Sequence, residues 1–470
     1  MEATNCVAPG IGADVSFGDD HFGSCVFGDK RLTDRAVLTG NTMMRHPGGT
    51  LPEKLPKAEL FGFYDFANND KVNHDNVLAG HVQHTRQAME QCAGPVLIIH
   101  DTTEGDYSGL DIAKLGPIGN GHNQGMLIHN VLAFDYGSRE VLGLAGQILQ
   151  IRRHVGKHES VSFSREHPQR ESRLWIKGAK AVGRPPEGAV WVNLNDRGGD
   201  TYESLEYQEN QGQFYIVRSR VDRNVQVKGK DGRMLGRKLH GVARKLPTLG
   251  ERTIEVSGNA GQQARTAQVR VAAGPVLLQA PHVRYGEHSQ QPLPAWVVHV
   301  KELQPPAGQE PLEWILLTNM PTENKAQAWE RVNWYECRPI VEEFHKAQKT
   351  GCGMELAQFT TLKALEVVVA MTSVVAVQLL RLRDLARRND DRPASDIMDD
   401  VYIETLTLKI YKEARMNISA RDFLRALARL GGHLGRTGDR PPGWLVLWRG
   451  WTQLQPLVEG VRLARMKRRG

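Results

Sequence analysis

Apolar and polar positions change rhythm several times along the chain. Up to about residue 85 the spacing is helical. It includes a turn-like Gly28-Asp29 followed by Lys30-Arg31-Leu32-Thr33-Asp34-Arg35, which places Arg31 and Arg35 one turn apart. From Pro95 short apolar runs take over. Residues 96–99 end at His100-Asp101-Thr102-Thr103, and residues 125–136 and 139–150 follow, so three successive strands predict an antiparallel meander. A helix over 165–182, a strand over 189–194 ending at Asn195-Asp196, a helix over 201–209 and a strand over 214–217 complete a mixed sheet with helices packed on it. On this reading Asp101 and Asp196 both stand at C-terminal strand ends.

Strand-like alternation resumes at 253–256 and 267–271, which makes roughly 218–300 a β-rich insertion. After Trp314-Ile315-Leu316-Leu317-Thr318 the pattern is helical almost to the end, broken at Pro441-Pro442-Gly443. The expected division is a helical part over 1–85, a mixed-sheet part over 86–372 that holds the insertion, and a helical part over 373–470.

Composition adds three points. The chain has 470 residues with 60 Lys and Arg against 53 Asp and Glu, a formal charge of +7, and the basic residues crowd between Arg218 and Lys245. Such a cluster suits a polyanionic partner, although a solvated charge-rich hairpin has the same composition. The N-terminus lacks the basic and apolar regions of a signal peptide, and the apolar run 367–380 is too short for a bilayer span, so a cytosolic protein without membrane contact is expected. The cysteines Cys6, Cys25, Cys92, Cys337 and Cys352 form no closely spaced pair and are expected reduced and structural. His81 and His84, one turn apart with no third ligand nearby in sequence, read as a solvated pair.

The chemistry concentrates in Trp334-Tyr335-Glu336-Cys337-Arg338-Pro339-Ile340-Val341-Glu342-Glu343-Phe344-His345-Lys346-Ala347-Gln348-Lys349. On a continuous helix Tyr335, Arg338, Glu342 and Lys349 would share an arc of roughly 60°. Taken alone, that spacing also fits a surface ion-pair ladder. Pro339 belongs in the first turn of a helix and not its interior, which places the helix start there and leaves Tyr335 and Arg338 just ahead of it. Glu342 together with Asp101 and Asp196 could supply three carboxylates, enough to hold two hard cations such as Mg²⁺ for displacement at a phosphodiester.

These residues resemble bacterial DDE transposases of the IS-four insertion-sequence group. The group's signature of Tyr, two residues, Arg, three, Glu, six, Lys is met without a gap by Tyr335, Arg338, Glu342 and Lys349, and the surrounding Glu342-Glu343-Phe344-His345-Lys346-Ala347 is similar as well. Asp101-Thr102-Thr103 and Asp196-Arg197-Gly198-Gly199-Asp200 match its two aspartate motifs. The resemblance implies a ribonuclease-H-like mixed sheet, an N-terminal helical domain that binds transposon ends and a C-terminal helical dimerisation domain. It implies Asp101, Asp196 and Glu342 as ligands of two Mg²⁺ ions, for which Mn²⁺ would substitute.

The resemblance further implies DNA contacts at Tyr335, Arg338, Lys346, Lys349, Arg218, Arg220, Arg31, Arg35 and Arg45. Trp314, 21 positions before Tyr335, would stack on a base flipped out at the DNA end. Relatives carry an aromatic wedge where this chain has Pro339. The stretch 427–432 with Trp444, Leu447, Trp448 and Trp451 resembles the dimerisation region, and its pattern equally suits a buried helix face. The implied partners are inverted-repeat ends, target DNA and a second copy, in the bacterial cytoplasm. No phosphate-binding glycine loop points to a nucleotide cofactor. A DNA-binding relative without activity and a plain metal-dependent nuclease remain alternatives.

Overall fold

A computed structural model describes residues 16–46, 48–153, 159–160, 163, 167–229, 231–256, 264–282, 288–388, 391–436, 438–439 and 441–467. Cys6, Lys230, the first part of the helix expected over 165–182, and Arg468 and Arg469 lie outside these residues.

The N-terminal part is helical: α1 (Ser16–Phe22), α2 (Lys30–Arg45), α3 (Leu51–Lys54), α4 (Lys57–Asn68) and α5 (His74–Gln91). Helix α2 starts at Asp29, whose carboxylate accepts the Arg31 N–H at 3.0 Å, and it buries Ala36, Thr39, Gly40 and Met43 at helical spacing. A Cβ at Gly40 would stand 2.6 Å from the Phe22 ring, so this glycine lets α1 lie close against α2.

The sheet begins with β1 (Val96–Asp106), β2 (Gly116–Ile118), β3 (Asn123–Asp135) and β4 (Glu140–Gln150). Strand β1 runs antiparallel to β3, and β3 antiparallel to β4, which is the expected meander. After α6 (Arg173–Val182), β5 (Trp191–Asn195) pairs parallel with β1; after α7 (Tyr202–Asn210), β6 (Phe214–Arg218) pairs parallel with β5. Helix α6 begins only at Arg173, because turns around Pro168 and Ser172 precede it.

The insertion consists of β7 (Asn224–Lys228), β8 (Met234–Lys238), helix α8 (Leu239–Lys245), β9 (Gly250–Val256), β10 (Arg265–Leu278) and β11 (Leu293–Glu302). It is continuous with the central sheet, because β12 (Glu313–Thr318) pairs with both β11 and β6. Period-two alternation feeds two cores from these strands. Ile216 and Leu316 enter the main core, while Tyr215, Val217, Ile315 and Leu317 enter a second one beneath the insertion.

Helices α9 (Lys325–Tyr335) and α10 (Ile340–Lys346) lead through a π-turn (Ala347–Gly351) to α11 (Leu362–Arg387), α12 (Asp400–Tyr411), α13 (Ala420–Leu430) and α14 (Trp444–Lys467). One unbroken helix, α11, runs through residue 372, where the sequence reading divides its second and third parts. It is long and apolar enough to cross a membrane, but 89% of its most apolar window is buried inside the protein, which accounts for that composition.

The residues expected at a dimer interface pack within the chain. Leu427, Leu447, Trp448 and Trp451 are buried where α13 crosses α14, and the Trp451 indole donates to the Met44 carbonyl at 3.2 Å. That packing accounts for the apolar pattern of the stretch within the chain.

Candidate active site

The parallel register of β1 and β5 pairs Val96 with Trp191 through His100 with Asn195. Asp101 and Asp196 are the next residues along, so both carboxylates leave the sheet on the same side, on neighbouring strands. Asp196 stands at the end of β5, as expected. Asp101 does not stand at a strand end: β1 continues to Asp106 because β3 pairs with it throughout, and only the pairing with β5 stops at His100.

Buried polar groups brace this part of the sheet. Thr102 Oγ1 lies 2.9 Å from His129 Nδ1, His129 Nε2 lies 3.4 Å from His100 Nδ1, and His100 Nε2 lies 2.8 Å from Asn193 Oδ1. Only one arrangement of protons serves the chain with both rings neutral: each group donates to the next, from the Thr102 hydroxyl to the Asn193 carbonyl. Burial holds His100 down to about 4 and His129 well below the usual histidine range, so both rings stay neutral. Asp196 caps the following 3-10 turn by accepting the Gly198 N–H at 2.8 Å.

The helical side departs from the expected single face. Helix α9 ends at Tyr335, turns occupy 336–339, and α10 starts after Pro339, as that proline dictates. The π-turn then replaces regular helix at 347–351, where Lys349 pairs with Glu355 at 3.1 Å and not with Glu342.

Arg338 nevertheless joins the two sides. Its guanidinium donates to Asp101 Oδ2 at 3.1 Å and to Glu342 Oε1 at 2.7 Å. Asp101 is pushed up to about 6, first by burial and then by the Asp196 and Glu342 charges, with Arg338 and the Thr102 N–H pulling the other way. That mutual repulsion is what a bound divalent cation relieves, and carboxylate oxygens are the donors Mg²⁺ favours. Asp101, Asp196 and Glu342 offer the donor type such an ion takes, but not the arrangement around one. Among the described residues no three His, Cys, Asp or Glu side chains stand together in coordinating positions, since Arg338 holds Asp101 and Glu342 itself.

Beside this cluster opens a cavity of about 610 Å³ whose lining includes Arg218, Ile254, Trp314, Tyr335, Arg338 and Pro339. Trp314 is half-buried in β12, and its ring meets that of Tyr335 edge to face at 5.6 Å. Burial pushes the Tyr335 phenol up to about 12, so it stays protonated. Arg218 donates to the Glu313 carbonyl at 3.2 Å, with Arg338 and Asp196 among its charged neighbours. Tyr335, Arg338, Trp314 and Arg218 therefore gather at one place with the carboxylates, and Arg220 and Lys346 are exposed near it in sequence.

Three residues have structural roles here that the sequence reading did not assign them. Asp200 is buried and accepts the Arg220 and Val221 N–H groups at 2.7 and 2.9 Å, and it ion-pairs with Arg223, so it shapes the chain just after Arg218. Gln348 is fully buried in the π-turn. It donates to Ser373 Oγ at 2.8 Å and accepts from Asn130 Nδ2 at 3.0 Å, while Gln147 donates to Asn130 Oδ1 at 2.6 Å. His81 is no solvated residue: it is buried, accepts the Leu144 N–H at 3.0 Å, and lies 3.2 Å from His21 Nδ1. Burial pushes it down to about 3.

In the N-terminal helices, Arg31 is exposed and pairs with Asp29 at 2.8 Å. Arg35 lies across α4 against Gly62, and Arg45 is half-buried at the end of α2. These helices stand apart in sequence from the carboxylate site, and they are where a comparison with known proteins finds a match. Residues 15–72 match a family described as transposase DNA-binding, a span that takes in α1 to α4. The chain thus carries a transposase DNA-binding domain at its N-terminus, and DNA is its partner.

Proposed function

We propose that the chain is a cut-and-paste DNA transposase of the IS-four group, similar to the enzyme of the Tn-five transposon, with a ribonuclease-H-like catalytic sheet. One observation carries this reading. Neighbouring parallel strands bring Asp101 beside Asp196, and Arg338 ties Glu342 to Asp101, beside a cavity walled by Trp314 and Tyr335. The strand order also supports it: antiparallel β1, β3 and β4 with the short β2 beside β3, then two parallel strands reached through α6 and α7.

The proposed reaction is a series of in-line displacements at phosphorus. Water opens one strand at the transposon end, and the freed 3′-hydroxyl attacks the opposite strand to close a hairpin. Hydrolysis reopens the hairpin, and the 3′ end is transferred to target DNA. Asp101, Asp196 and Glu342 would hold Mg²⁺, or Mn²⁺ in its place, whose Lewis acidity activates the attacking oxygen and steadies the leaving one.

The protein's own groups do the positioning. Arg338, Arg218, Arg220, Lys346 and Lys349 offset phosphate charge, and Arg338 must give up a carboxylate to do so. Hairpin closure bends the strand sharply, and a base turned out of the stack finds an indole and a phenol ring in the cavity. Pro339 and Ile254 line the same cavity and give it apolar wall. Arg31, Arg35 and Arg45 contact the end repeat from the N-terminal domain. Two ends require two copies, and the exposed Leu463 and Met466 of α14 offer an apolar surface for pairing them. The setting is the bacterial cytoplasm, at the nucleoid.

The test incubates the purified chain with Mg²⁺ and a duplex bearing the inverted repeats that flank its gene, followed by a denaturing gel. The expected products are hairpin ends and joined target molecules. Nicks alone would replace this reading with a plain nuclease, and tight binding without cleavage would replace it with a DNA-binding relative.

A further inference from the structure

Strands β7 and β8 form a two-stranded ribbon that largely stands free of the sheet. They pair with each other from Asn224 with Lys238 to Lys228 with Met234, but β7 pairs with β10 only through Val225 and Gln226. The ribbon therefore projects beyond Gln226, and the Gly229 N–H donates to the Arg233 carbonyl near its tip.

Its two faces differ. Val225 and Val227 point inward toward the second core. By strand alternation Asn224, Gln226 and Lys228 share the other face with Met234, Gly236 and Lys238. That face holds no acidic residue, and at Gly236 it is bare backbone with open space where a Cβ would be. By the same alternation Arg233 and Arg237 lie on the Val225 and Val227 side, Arg237 in register with Val225. Lys228, Arg233, Arg237 and Lys238 are all exposed. Among the described residues only Arg233 has an acidic partner, Asp231 at 3.8 Å, and that pair is itself largely solvated.

We infer that the β7–β8 ribbon is a second DNA-binding element, which grips the phosphate backbone of the duplex that leads away from the active-site cavity. The inference rests on the transposase reading above. A twisted two-stranded ribbon is narrow enough for a DNA groove, and the exposed Lys228 and Lys238 on one side with Arg233 and Arg237 on the other suit phosphates without reading sequence. Position favours the duplex bound at its end. Trp314 is in register with Val300, and Val300 with Val271, whereas β7 joins β10 at Leu277 and Leu278. Three strand spacings across and six residues along put the ribbon base roughly 25 Å from Trp314. A duplex whose end enters the cavity covers that distance within about one helical turn of roughly 34 Å.

The experiment uses the full chain carrying Lys228→Gln, Arg233→Gln, Arg237→Gln and Lys238→Gln together. All four side chains are exposed, so the melting temperature should match wild type. Affinity for an inverted-repeat duplex of about three helical turns is measured from 50 to 200 mM salt. The ribbon should account for about three to four units of the log–log salt slope, near 0.9 for each phosphate it neutralises, and at least a tenfold loss of affinity at the lowest salt. On a duplex truncated within half a turn of the cleavage point, variant and wild type should bind alike. A variant slope within one unit of wild type would overturn the inference. So would unchanged end binding with loss of strand transfer only, which would assign the ribbon to target DNA. Wild-type protein that shows no salt-dependent binding to the end would instead overturn the transposase reading itself.

Discussion

Asp101 and Asp196 are fixed by backbone register and by a buried chain of hydrogen bonds from Thr102 to Asn193. Glu342, Arg338 and Lys349 depend on two helix ends, a run of turns and a π-turn held from behind by Gln348. A parallel strand pair cannot slip by one residue without turning its apolar set to the wrong face, so the sheet side has one arrangement. Turns and a π-turn are not constrained in that way. Arg338 spans the two sides, and on the proposed function the helical side is the one that would release a carboxylate to DNA and cations.

The contrast can be broken at Gln348. Gln348→Met keeps the volume but leaves Asn130 Nδ2 without its acceptor inside the core. We expect a stability loss of about 2–4 kcal/mol in urea unfolding. Strand cleavage should fall at least tenfold, with end binding through the N-terminal domain unchanged. Cleavage equal to wild type would show that the π-turn needs no such support.

Trp314→Ala probes the cavity between the two sides. Base stacking on an aromatic ring contributes about 1–3 kcal/mol, so hairpin closure should slow on the order of 10- to 100-fold. The first nick, which needs no extruded base, should keep its rate. Equal slowing of both steps in a time-resolved gel would assign Trp314 to the fold alone.

The smallest effect concerns stability and pH. Asp101 has a folded value near 6, above the unfolded value near 4, so the folded state binds the proton more tightly. Stability therefore falls as pH rises between those values, and the loss is complete above pH 6. Asp101→Asn removes the penalty. Without divalent metal it should be more stable than wild type at pH 8, by about 1–2 kcal/mol. The gain should fade as pH drops from 6 toward 4 and be absent below 4. A variant less stable at pH 8 would mean that the Arg338 ion pair outweighs the buried repulsion.

Local features made much of this legible in the sequence. Period-two runs marked the meander and both parallel strands, and acids directly after apolar runs flagged Asp101 and Asp196. Pro339 marked the start of α10. Long-range placement stayed hidden. Nothing local says that β3 extends β1 past Asp101, or that Asn130 and Ser373 meet Gln348. The environment of His81 depends on His21, 60 residues away, and on the Leu144 N–H. The pattern around Trp448 and Trp451 had two equal readings, because an apolar helix face looks the same whether a second copy or its own core covers it.

The central claim is that Asp101, Asp196 and Glu342 act as one phosphoryl-transfer site. Its most direct test compares Asp101→Asn, Asp196→Asn and Glu342→Gln with wild type on one inverted-repeat duplex in Mg²⁺, with end binding measured alongside. The account predicts hairpin product from wild type alone, while all three variants bind the end within about twofold of wild type, since the family-matched helices that hold the DNA are separate in sequence from all three acids. Any one variant that still forms hairpins at a tenth of the wild-type rate or more would contradict it.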